Sequence, residues 1–137
     1  MQNVGAIFRN ADGAWFEKLY LTGFTPHPPR SDISKTALWA EQTIDWEYSK
    51  DTKTIIEKLR SEGYRIYAVE LTDDAVDYKE LFEDDSDKVC LIMGNEVSWV
   101  SDEVLWLVDK VVVIPMLGKK ASLNVSVAAG IVMYAIS

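Results

Sequence analysis

The stretch KVVVIPMLGKKASLNVSVAAGIVMY, residues 110–134, decides the fold class. It opens on a β-branched run, Val111 to Ile114, with no polar alternation, the pattern of a strand buried on both faces. A short loop, Pro115-Met116-Leu117-Gly118, separates it from a helix in which Ser126, Ala128, Ala129 and Gly130 are small. Small residues let a helix approach another backbone closely, so this one reads as a tight crossing or a subunit interface. Ser122 is a natural N-cap for it. Lys119 and Lys120, just ahead of the helix start, would add to an anion-attracting site, and they suit a solvated loop equally well.

The same alternation extends toward the N-terminus. VGAIFRNADG (4–13) places Val4, Ile7, Phe8 and Ala11 on one helical stripe, with Arg9 and Asn10 off it. KLYLTG (18–23) reads as a strand, FTPHPPRSD (24–32) as a stiff connection and KTALWAE (35–41) as a helical turn. DTKTIIEKLRSEG (51–63) is an amphipathic helix with Asp51 as N-cap and Gly63 as its stop. YRIYAVEL (64–71) and VCLIM (89–93) are strands, and DEVLWLVD (102–109) is a short helix. Strands alternating with helices predict an α/β protein, a mostly parallel sheet with helices on both faces. Ligands of such sheets sit beyond the carboxyl ends of the strands. Three strand ends carry loops of unusual chemistry: Leu71-Thr72-Asp73, Gly94-Asn95-Glu96 and Pro115 to Gly118.

The 137 residues suit one domain, long enough to bury a core without disulfides or metals. No run approaches the roughly 20 apolar residues of a membrane span. MQNVGAIFRN has no basic stretch followed by a long apolar one, so the expected location is cytoplasmic. A net charge of -8 argues against nucleic acid as a partner. Eight of the 22 acidic residues, however, fall between Asp73 and Asp87, a run that reads as a solvated linker and helix face. The remainder is nearly balanced, and Arg9, Lys18, Arg30, Lys35, Lys119 and Lys120 could share one basic face.

Few side chains announce chemistry by themselves. Asn3 reads as a helix N-cap and Arg9 as a solvated cation. Gly94 is either a turn glycine or a point where backbone approaches a ligand, and Glu96 is oddly placed for a cap. His27 is the one histidine and Cys90 the one thiol, so no metal site is expected and Cys90 reads as a small buried hydrophobe. The glycine patterns of a dinucleotide site, a P-loop or a nucleophile elbow are absent.

Three blocks carry a resemblance. NVGAIFRNADG (3–13), LIMGNEVS (91–98) and VVVIPMLGKKASLNVSVAAGIVMY (111–134) resemble, in that order, the signature motifs of the SpoU (TrmH-like) RNA 2'-O-ribose methyltransferases. These enzymes belong to the SPOUT class. LYLTGFTPHPP and KTALWAEQTIDWEY are similar to the family's middle region, so the resemblance spans nearly the whole chain. It implies a C-terminal trefoil knot, S-adenosylmethionine as methyl donor, tRNA or rRNA as substrate, and a homodimer. By position it assigns the donor site to Leu71, Gly94, Glu96, Ile114, Met116, Gly118, Ser122 and Leu123. The catalytic arginine maps to Arg9, with Asn3, Ser122 and Asn124 completing a polar cluster. In the mechanism proposed for the family, this arginine holds an RNA phosphate and assists deprotonation of the ribose. Two other readings stay open: a knotted module that binds donor or RNA without turnover, and a flavodoxin-like binding domain with no RNA substrate.

The chain departs from the family in two ways. Relatives carry a strand before the N-x-G-x-x-x-R block, whereas only Met1-Gln2 precede Asn3. The resemblance therefore implies a missing first strand and an exposed sheet edge. Trp15, Trp39 and Trp99, with Trp106 as a fourth candidate, fall where the family has glycine. Residues so opposite in size and backbone freedom point to a reassigned UGA codon, glycine in the source organism and tryptophan by the standard reading.

Overall fold

The computed structural model describes residues 2–83, 86–94, 100–120 and 123–136, with Gln2 described for its backbone. Helix α1 (Gln2–Gly13) buries Val4, Phe8 and Ala11, the stripe its spacing predicts. It crosses helix α2 (Ser31–Ala37) at backbone contact: a Cβ on Gly5 would lie 2.6 Å from the Ile33 carbonyl oxygen. Strand β1 (Lys18–Thr22) follows α1, and strand β2 (Asp45–Ser49) pairs with it in parallel. The helical turn expected at 35–41 lies earlier. α2 ends at Ala37, Leu38 takes a left-handed conformation at φ 50°, and a separate 3-10 turn covers Ala40–Gln42.

Helix α3 (Thr52–Ser61) starts and stops where its capping residues place it. Asp51 Oδ1 accepts from the Lys53 N–H at 3.1 Å, and Gly63 adopts φ 92°, a left-handed turn that suits glycine. Strands β3 (Arg65–Val69), β4 (Val76–Asp77), β5 (Val89–Met93) and β6 (Lys110–Val113) form a second sheet in the order β4-β6-β3-β5. Helix α4 (Asp102–Leu105) lies between β5 and β6, with Ser101 Oγ accepting from the Val104 N–H at 3.3 Å. Every ladder is parallel, as the strand and helix alternation predicts. The expected single sheet is nevertheless two among the described residues.

Two further expectations need correction. The acidic stretch is not merely a linker: β4 and a 3-10 turn over Tyr78–Glu83 lie within it, and Leu81 is 2% exposed in a core cluster with Tyr67, Val112 and Val132. One apolar side chain per turn suffices to anchor so acidic a segment. The last helix, α5 (Val125–Ile136), begins later than Ser122. Asn124 Oδ1 accepts from the Ser126 N–H at 2.9 Å and from Ser126 Oγ at 2.7 Å, so Asn124 fills the capping position.

Candidate functional site

The parallel register brings three loops to one edge of the second sheet. Val69 of β3 stands opposite Met93 of β5 on one side and Val112 of β6 on the other. The chain therefore leaves all three strands at the same level, the carboxyl edge where ligands of parallel sheets sit. Leu71 lies two residues past this level, Gly94 one and Ile114 two. Leu71 is exposed, Ile114 packs half-buried on the Tyr67–Val112 cluster, and Gly94 and Met116 are half-buried. A Cβ on Gly118 would meet nothing within 4 Å, so the space beside that loop is open.

Glu70 holds this edge together, a residue that motif reasoning missed. Its Oε1 accepts from the Leu71 N–H at 3.1 Å and its Oε2 from the Val100 N–H at 3.3 Å. One carboxylate thus ties the loop after β3 to the chain that returns after the Gly94 loop. An acidic residue directly at the end of a buried strand was the available signal, since a charge there needs donors.

α1 and α5 meet beside this edge. Asn10 Nδ2 donates to the Ser126 carbonyl at 2.9 Å, and a Cβ on Gly130 would lie 3.2 Å from Asn10 Nδ2. The small residues of α5 are accounted for by this crossing within one chain, where Ala129 is fully buried. Arg9, next to Asn10, is exposed and makes no hydrogen bond or ion pair among the described residues. Asn3 sits inside the first turn of α1 and not ahead of it, so it is not the N-cap. The structure thus sets the elements bearing Arg9 and Asn124 against each other. Leu123 is half-buried just before the cap, and Lys119 and Lys120 are exposed in the preceding loop. Ser122, Asn95, Glu96 and Trp99 lie outside the described residues.

The remaining candidates stay apart from this edge. His27 stacks on Trp46 and Tyr48, with ring centroids 5.8 and 4.8 Å away, beside the first sheet. Cys90 is half-buried in β5, and burial pushes its thiol up to about 11. Among the described residues no group of three or more His, Cys, Asp or Glu is placed to hold a metal, and no helix is long and apolar enough to cross a membrane.

A parallel α/β fold whose three strand-end loops converge beside a helix crossing places the chain among known folds. It superposes on the AdoMet-bound rRNA methyltransferase from Sinorhizobium meliloti with a TM-score of 0.88 and 28% identity, covering 98% of this chain and 51% of that one. On the A. aeolicus TrmH/SpoU tRNA modifying enzyme the TM-score is 0.84 and the identity 29%, over 98% of this chain and 67% of that one. In sequence it is 34% identical over 135 residues to the tRNA (guanosine(18)-2'-O)-methyltransferase of Escherichia coli K12. That match covers 96% of this chain and 56% of the relative, so the chain spans little more than half of the relative's length. The SpoU rRNA Methylase family model matches residues 1–134, and the chain belongs to that family.

Proposed function

We propose that this chain is the SpoU-type domain of an RNA 2'-O-methyltransferase, which moves a methyl group from S-adenosylmethionine to a ribose 2'-hydroxyl of tRNA or rRNA. The observation that carries this reading is the convergence of the Leu71, Gly94 and Ile114–Gly118 loops at one in-register sheet edge, with Arg9 unpaired on the neighbouring helix. Family membership, the AdoMet-bound relative and the tRNA methyltransferase relative support it. A trefoil knot and a homodimer belong to the same proposal. β6 lying between the earlier strands β3 and β4 supports the first. The exposed Val127 and Tyr134 on α5, 50% and 56% exposed, support the second.

The residues at the edge fit the donor. Leu71, Ile114, Met116 and Leu123 offer apolar surface for an adenine. Loop backbone past the ladders offers N–H and C=O groups, and the space beside Gly118 is open. Gly94, Glu96, Gly118 and Ser122 complete that site in our reading. When bound, the donor supplies a sulfonium-activated methyl group. The protein's own part is placement. A ribose hydroxyl is a poor nucleophile, and holding it in line can provide much of the rate. The Arg9 guanidinium, free of internal partners, suits a bidentate grip on an RNA phosphate, which fixes the adjoining ribose. With a pKa above 12 it is a weak free base; its contribution to deprotonation is electrostatic, lowering the charge cost of the forming alkoxide. Asn3, Ser122 and Asn124 supply neutral hydrogen-bonding groups around it.

Calorimetry with S-adenosylmethionine, together with transfer of labelled methyl to bulk tRNA and rRNA, tests the reading. Arg9→Ala should keep donor binding and lose on the order of 100-fold or more in transfer. Equal activity of that variant would remove Arg9 from the mechanism. Donor binding without transfer by the unaltered protein would leave a binding module, and no donor binding would leave the flavodoxin-like reading.

A further inference from the structure

Every residue of β1 and every residue of β5 lines one cavity of about 540 Å3. Successive side chains of a strand point to opposite faces, so a cavity on one face would meet only alternate residues. One that meets all of Lys18–Thr22 and all of Val89–Met93 runs along the strand edges. β1 pairs on its other side with β2, and β5 with β3, so each presents one edge that is unpaired among the described residues.

The two edges belong to the same layer. Tyr20 of β1 packs with Cys90 and Ile92 of β5 in the cluster built on Ile56 of α3. On the opposite face Leu91 and Met93 pack with Met133 of α5 and with Phe16, which also joins Leu19 in the α1 cluster. The gap is therefore covered by α3 on one side and by α1 and α5 on the other. The edges also point the same way. Thr52 Oγ1, at the start of α3, donates to Thr22 Oγ1 at the end of β1 at 2.7 Å. Just past the end of α3, the Glu62 carbonyl accepts from Lys88 Nζ, ahead of β5, at 2.8 Å. α3 thus runs antiparallel to both strands, which are parallel to each other.

An open edge under two helix layers leaves backbone N–H and C=O groups facing apolar surroundings, the environment in which an unpaired group is most unfavourable. We infer that this gap is a docking site for an extended apolar strand donated by a separate polypeptide. It is about five residues long, the length of both edges, and runs parallel to them, pairing with both. Apolar side chains on both of its faces are required, because Val4 and Ile7 lie on one side and Ile55 and Leu59 on the other. Charge is tolerated only near Lys18 and Asp87, where the two strands begin. Pairing would join the two sheets into one.

The test is a fluorescent peptide of five consecutive valine, isoleucine and leucine residues flanked by lysines, titrated into the 137-residue protein. An otherwise identical peptide with alternate backbone nitrogens methylated serves as control. Saturable one-to-one binding is expected, with exchange of the 18–22 and 89–93 amides slowed by about tenfold or more, and the methylated peptide should not bind. The inference is overturned if no binding occurs or if the methylated peptide binds equally. It is also overturned if these amides are already protected in the free monomer, or if protection tracks dimer formation, which would make a second copy the occupant.

Discussion

Trp15 and Trp39 occupy left-handed backbone, at φ 63° and 73°, and leave their rings 91% and 64% exposed. A side chain that contributes no burial while its Cβ crowds the following carbonyl is destabilising where glycine would be neutral. Trp39→Gly should raise stability by about 1 kcal/mol in chemical denaturation, whereas Trp39→Ala, which keeps the Cβ, should gain little. Both positions match the glycine pattern inferred from the family resemblance, and UGA codons at 15, 39 and 99 are the corresponding expectation in the gene. Trp106 does not share it: its φ of -72° is ordinary helical backbone. Cys90 gives a second residue-level outcome. Its folded pKa, about 11, lies above the model value of 9.0, so the folded state holds the proton more tightly. The associated stability is complete below pH 9 and is lost as pH rises toward 11. Denaturation at pH 8 and pH 11 should show a loss, at most about 2–3 kcal/mol, that Cys90→Val removes.

At the scale of elements, α3 was legible because local chemistry defines both ends, Asp51 and Gly63. α1 was legible because its apolar stripe is periodic. β2 was not: DWEYS is mostly exposed and polar, and it is a strand through its ladder with β1. The start of α5 was misplaced because Ser122 and Asn124 are equally good caps in sequence, and only the backbone path chooses between them. Asn124→Ala should therefore destabilise by about 1 kcal/mol, read from the midpoint of denaturation, as removal of a helix cap does. The same substitution would also lower methyl transfer, if Asn124 belongs to the polar cluster.

At the scale of the molecule, tertiary contacts rather than motifs complete the site. Glu70 bridges two loops through Leu71 and Val100, residues 30 positions apart in the chain. Glu70→Ala should weaken S-adenosylmethionine binding by about tenfold in calorimetry, while the midpoint of thermal unfolding shifts by only a few degrees. The missing first strand implied ahead of Asn3 is the kind of element the gap between β1 and β5 would take when covalently joined.

The sequence by itself determined the α/β class, the parallel strands, the ends of α3 and the three loops at strand ends, because periodicity, caps and β-branched runs act over a few residues. Motif order also carried the family. Tertiary structure alone decided which strands are neighbours, that the sheet is divided along β1 and β5, and that Glu70 links two loops. These depend on pairings between residues far apart in the chain, which no local propensity encodes.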